Sequence, residues 1–332
     1  MRTILFAVTI GAMALAQPAS AQKYNLTIAG YSPGGLVSTA GAGLDRALNA
    51  AYPGSTITYQ TSSGGLANAM SLAQKKVPLA FISDTELNVV LKGLPPFKQP
   101  IKDLRILFHP YSPGSRFPAT HFLANKDWAQ KNGIKTVADI AAKKPAMRIA
   151  VNRPGNLDGD VSIAAMAAYG ISLDDIAKWG GQVVRAASRE ITSLMLDRRL
   201  DITSFGISVN HPRIREMANG IELVMLPMTQ ESAKKVSDQL GATPCIVKAS
   251  DYKFLAVDTP SVCVGMLTVV RADMDEQLAY NITKGITENL EKYKAAHRLL
   301  KKAVTLQSWS EKGLAPFHPG AERYFREKGL IK

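Results

Sequence analysis

Tyr24-Asn25-Leu26-Thr27-Ile28-Ala29-Gly30-Tyr31-Ser32-Pro33-Gly34-Gly35 decides the fold class. Its first six residues alternate polar and apolar, the pattern of a half-buried strand. The proline-glycine run after them makes a loop. From about Val37 to Ala51 an alanine-rich stretch carries Leu44 and Leu48 on one helical face, and Pro53-Gly54 ends it. The unit then recurs in kind. Ser55 to Gln60 is a β-branched strand, Thr61-Ser62-Ser63-Gly64-Gly65 a loop, Leu66 to Lys75 a helix, and Leu79-Ala80-Phe81-Ile82 a buried strand. Strand, glycine loop and helix, twice over, imply βαβ units and a parallel sheet. In such sheets the loops after the strands' carboxyl ends build the ligand crevice, so both glycine loops belong on one edge.

Downstream, Leu104 to Phe108 and His121 to Ala124 read as strands, with the first crossing into a second domain near the latter. That domain carries the strand Arg148 to Val151, the loop Asn152-Arg153-Pro154-Gly155-Asn156-Leu157-Asp158-Gly159 and a helix through Tyr169. A helix from Arg189 to Arg198 and strands at Asp201 to Phe205 and Ile221 to Leu226 follow, after which the chain is expected to return to the first domain. Val262 to Val270 reads as one buried strand, and Glu276 to Val304 as one long amphipathic helical region.

The N-terminus addresses the chain for export. Arg2, the apolar run Ile4 to Ala16, and Pro18 followed by Ala19-Ser20-Ala21 form a signal peptide cut after residue 21. Gln22, and not Cys, follows the cut, so a periplasmic protein without a lipid anchor is expected. With 332 residues, 46% hydrophobic and 20% charged, the chain has ordinary globular composition and room for two domains. Cys245 and Cys263 are either buried thiols or, in an oxidising compartment, a disulfide. No C-x-x-C pair exists, which leaves redox catalysis and a cysteine zinc site unsupported.

Catalytic motifs are absent. The five histidines show no metal-ligand spacing, and neither a G-x-S-x-G elbow, a Walker loop nor a G-x-G-x-x-G fingerprint occurs. Neither enzyme activity, a metal nor a cofactor is expected. What remains is small-residue loops feeding helix N-termini, whose unpaired N–H groups suit carboxylate or phosphate oxygens. The net charge of +13 is scattered, and aromatics are 7%, against a nucleic-acid partner. Steering of an anionic small molecule is the reading that fits the loops.

The block Ala315-Pro316-Phe317-His318-Pro319-Gly320-Ala321-Glu322-Arg323-Tyr324-Phe325-Arg326-Glu327-Lys328-Gly329-Leu330 closely resembles the end of TAXI-type solute-binding proteins of tripartite ATP-independent periplasmic (TRAP) transporters. Ser32 to Gly35 is similar to that family's first glycine loop, Ser62 to Asn68 to its second, Leu79 to Asp84 to its site strand, and Tyr280 to Leu290 to one of its helices. The resemblance implies an α/β, two-lobed periplasmic-binding-protein fold of type II, a "Venus flytrap" with discontinuous domains and mainly parallel sheets. The first lobe is expected at 22–124 and 229–332, the second at 125–228. It also implies delivery of the solute to membrane-embedded TRAP permease subunits, and a monomer is expected. A sensory partner of a membrane receptor, or a periplasmic hydrolase, are the alternatives.

The expected ligand is a small organic anion, an amino acid or a dicarboxylate. Gly34, Gly35 and Leu36 supply backbone donors, and Ser38, Ser62 and Ser63 hydroxyls, with Gly64 completing the second loop. Val37 and Ser38 stand where the family commonly has tyrosines. Asn68 either orients the ligand or braces the loop. Asp84 contacts a ligand amine or caps the helix after it. Arg153 is a charge contact formed on closure or an exposed loop arginine. Asp158 and Asp160 change the charge of a second-lobe loop that usually reads Pro-Gly-Ser-Gly-Thr. Phe205 packs against the ligand or in the core. His318 is expected to pin the terminal helix and is left out of the site.

Overall fold

The protein is described here from a computed structural model, which covers residues 22–31, 33, 36–116, 118–153 and 157–332. Residues 1–21, read above as a signal peptide, Gly34, Gly35 and the Pro154-Gly155-Asn156 part of the second-lobe loop lie outside the described residues.

The chain lays down β1 (Asn25–Ala29), β2 (Thr56–Gln60), β3 (Leu79–Ser83) and β4 (Leu104–Tyr111). It continues through β5 (Ala119–Asn125), β6 (Arg148–Val151), β7 (Gln182–Arg185), β8 (Ile202–Ile207), β9 (Leu223–Met225), β10 (Thr243–Val247) and β11 (Thr259–Cys263), and returns with β12 (Met266–Arg271). Two sheets result. The first runs β2-β1-β3-β12-β4; the second runs β10-β11-β5-β8-β6-β7, with β9 paired to β5.

The repeated unit forms as its residues dictate. Leu26 and Ile28 of β1 turn inward, every residue of β3 is buried at the sheet centre, and Ala40, Leu44, Ala47 and Leu48 line the inner face of helix Leu36–Ala51. One core fills the first lobe, and separate clusters cover the two faces of the second sheet.

Two expectations on topology are corrected. The sheets are mixed, not mainly parallel: β1 pairs in parallel with β2 and β3, and β6 with β7 and β8, but β12, β5 and β11 run antiparallel to their neighbours. Strands that enter a sheet from a lobe crossing arrive from its ligand edge and therefore run against those leaving toward it. Second, Val262 to Val270 is not one strand. Cys263 pairs with Ala119 in the second sheet, and Met266 pairs with Ser83 and Tyr111 in the first. The return crossing is thus Val264-Gly265, and the outward one lies at 112–118; Val264 N–H donates to Pro118 O at 3.1 Å, binding the two together. β5, β10 and β11 belong to the second sheet, so the expected boundaries at 124 and 229 do not follow the sheets. The long C-terminal helical region is likewise broken, into Glu276–Glu288, Leu290–Lys294 and Arg298–Ala303.

The C-terminal block is structural. His318 Nδ1 accepts the Gly320 N–H, capping helix Pro319–Glu327, while its Nε2 meets Met274 O at 3.1 Å. Gly320 lies against helix Glu276–Glu288 so closely that a Cβ would stand 2.2 Å from Glu276 O, which is backbone and cannot swing away.

Cys245 and Cys263 are joined, tying β10 to β11 across a separation of 18 residues. A loop of that size removes about 3 kcal/mol of chain entropy from the unfolded state. The double variant C245S/C263S should lose about that much in urea denaturation, and reductant should bring the wild type to the same midpoint. A difference under about 1 kcal/mol would contradict this account.

Candidate functional site

The carboxyl ends of β1, β2 and β3 open toward the second lobe, and those of the parallel strands β6, β7 and β8 open toward the first. The loops expected to bind lie on this edge. Their side chains mostly brace one another.

Asn68, wholly buried, donates through Nδ2 to Gly30 O (2.9 Å) and Phe81 O (2.8 Å), and its Oδ1 accepts from Ser62 Oγ (2.6 Å). Ser62 Oγ also lies 2.6 Å from Gly30 O and accepts the Gly64 N–H. Of the two roles open to Asn68, bracing is the one these bonds perform, and the Ser62 hydroxyl is turned inward with it. Ser63 stands exposed at the loop tip. Leu36 and Val37 pack partly on the first core, and Ser38 is half-buried.

Glu86 and Tyr31 were not read from the sequence, yet they organise the edge. Glu86 Oε1 accepts the Gly65 N–H at 2.8 Å, and Oε2 accepts from Ser83 and from the Tyr31 hydroxyl. Tyr31 and Tyr59 exchange bonds in turn: Tyr31 N–H donates to Tyr59 Oη (2.6 Å), and Tyr59 Oη–H to Tyr31 O (3.0 Å). Ser83-x-x-Glu86 is a capping box, a pattern visible in the sequence before helix Asp84–Lys92. Ser83, not Asp84, is therefore the cap of that helix.

Asp84 does something else. Its Oδ2 accepts the Gly265 N–H at 2.6 Å, and its own N–H donates to Gly265 O. The side chain thus fastens the helix start to the return crossing. Burial pushes its carboxyl up to about 7, opposed by the Gly265 N–H and helped by Glu311.

Across the cleft, the Asp158 carboxyl lies over Gly206, where a Cβ would stand 2.6 Å from Oδ1. Burial, then the charges of Glu86 and Asp160, push Asp158 up to about 7. Asp160 is raised by burial and by Glu86 and lowered by Arg185, whose Nε donates to Asn152 O at 2.7 Å. Tyr111, at the end of β4, is raised by burial and by Asp158, Glu86 and Asp84 together. Carboxyl groups of both lobes therefore meet within one another's field. Sequence patterns do not show such a set, because its members come from four distant segments.

Two expected residues make contacts within their own lobe. Phe205 is 1% exposed within the second lobe's core, which decides between its two readings. Arg153 is exposed, and among the described residues its guanidinium pairs with Glu190 of its own lobe, at 3.4 Å. Among the described residues no three His, Cys, Asp or Glu side chains gather to hold a metal ion, and no helix is long and apolar enough to cross a membrane.

Two sheets, each with loops converging on a shared cleft, define the two-lobed fold of periplasmic binding proteins. PhnD1 from Prochlorococcus marinus, solved with methylphosphonate, aligns with a TM-score of 0.53 at 11% identity, over 92% of this chain and 99% of that one. MatC from Rhodopseudomonas palustris, solved with malate, aligns at 0.50 and 9% identity, over 93% and 99%. The family model for the NMT1-like family matches residues 28–329, and the chain belongs to that family.

Proposed function

We propose that this is an exported, periplasmic solute-binding protein that captures an amino acid or similar small organic acid and hands it unchanged to a TRAP-type permease. The observation that carries the reading is the cleft, where loops from the carboxyl ends of β1 to β3 and of β6 to β8 meet and bring polar groups of both lobes together. The helix Leu36–Ala51 begins there and offers N–H groups to an anionic end. Asp84, Glu86, Asp158 and Asp160 give the same cleft an excess of carboxyl groups beside Arg185. An amino acid suits both features, because its ammonium group offsets carboxyls that a dicarboxylate would only repel. That two proteins of this fold hold methylphosphonate and malate supports a small ligand of this size. The C-terminal resemblance supports the TRAP partner.

A thermal-shift screen against amino acids, dicarboxylates, phosphonates and neutral sugars tests this. A ligand at about 100 Kd should add about 2.7 kcal/mol and raise the melting temperature accordingly. Amino acids are expected to lead, and the ligand should be recovered intact after hours with the protein. Response to neutral sugars alone would overturn the reading.

A further inference from the structure

Beside the outward crossing lies a second cavity, of about 390 Å³, with walls from both lobes and none of the cleft residues in them. Arg116 comes from the crossing, Arg215 from helix Pro212–Gly220 of the second lobe, and Arg298 and Lys302 from helix Arg298–Ala303 of the first. Its single carboxylate, Asp251, is already engaged by Arg116. Arg215, Arg298 and Lys302 have no ion-pair partner among the described residues.

Three uncompensated cations from two different lobes thus face one space. Bringing the lobes together carries a repulsive cost there, screened but not abolished by salt. A neighbouring group feels the same field. Burial, and then Arg213, Arg215, Arg298 and His297, depress the His211 imidazole to about 4, so charges of the first lobe act on a side chain of the second.

We propose that this pocket binds a small multivalent oxyanion, carrying phosphate, sulfate or carboxylate groups, that bridges Arg215 to Arg298 and Lys302. Guanidinium forks match such oxygens in pairs, and the volume admits an ion larger than phosphate. Because the two walls belong to different lobes, the anion binds well only when they stand as they do here. It therefore favours that arrangement, whatever the cleft holds.

Isothermal titration of the mature protein with inorganic pyrophosphate, sulfate and citrate, at constant ionic strength set with sodium chloride, distinguishes the three chemistries. Saturable one-to-one binding of at least one is expected. R215Q/R298Q should weaken it at least tenfold, and R215K/R298K, which keeps the charges but loses the paired guanidinium donors, should weaken it by less than R215Q/R298Q does. K235Q/K312Q, with the same loss of net charge on exposed lysines that do not line the pocket, should bind as wild type does. Absence of saturable binding by all three anions would overturn the proposal. So would equal affinity in R215Q/R298Q, which would place the anion elsewhere, or equal weakening in K235Q/K312Q, which would reduce the effect to net charge.

Discussion

Replacing Asn68 with alanine should destabilise the first lobe by about 3 to 4 kcal/mol and abolish ligand binding. The side chain makes three bonds in a wholly buried position, to Gly30 O, Phe81 O and Ser62 Oγ. Three such bonds at about 1 kcal/mol net each give about 3 kcal/mol, and the buried carbonyls left unmatched raise the loss toward about 4 kcal/mol. The bonds also hold the end of β1 and the loop after β2 at fixed separation, so the loss extends to the cleft. Ser62→Ala should cost only about 1 kcal/mol, since Asn68 keeps both carbonyls. In the N68A background the serine change should cost less than it does alone, because the two share one network. Urea denaturation of the four proteins measures this. A loss below about 1.5 kcal/mol for N68A, or strict additivity, would contradict the bracing role.

The second large effect is on pH. The Asp84 carboxyl titrates near 7 in the folded protein against 3.8 ordinarily, chiefly through burial. A rise of that size corresponds to about 4 kcal/mol. The folded pKa is the higher one, so the folded state binds the proton more tightly. The stabilising contribution is complete below about pH 4 and falls as pH rises toward 7. By about pH 8 almost none of it remains. Asp84→Asn keeps an oxygen for the Gly265 N–H and removes the titration, so its melting temperature should gain on the wild type's progressively between pH 5 and pH 8. Asp158 titrates over the same window, but it does so opposite Glu86 of the other lobe, so it acts on closure. For it, small-angle scattering should give a radius of gyration that grows from pH 5 to pH 8 in the wild type and less in D158N. Parallel melting curves for D84N and wild type would refute the first account, and an equal change of radius in D158N the second.

The sequence by itself determined the elements and their order where the interactions are local. Alternation in β1, the leucine and alanine face of helix Leu36–Ala51, and the continuous apolar run of β3 each report a burial pattern within one segment. The Ser83 and Glu86 capping box is of the same kind, three residues apart and readable in advance. Even the role of His318 as a pin for the last helix followed from the proline and glycine beside it.

Only the tertiary structure decided which sheet each apolar segment joins. Val262 to Val270 is apolar apart from Gly265 and Thr268, and nothing within it says that Cys263 pairs with Ala119 while Met266 pairs with Ser83 and Tyr111. Those partners lie more than a hundred residues away, and pairing energy depends on them, not on local propensity. The same holds for charge. Asp158 and Asp160, or Arg116, Arg215 and Arg298, are unremarkable surface-type residues in the chain, and they acquire raised carboxyls or a shared basic pocket only when the lobes meet. Burial and proximity set those properties, and both come into being when distant segments pack, so a reading along one dimension holds no trace of them.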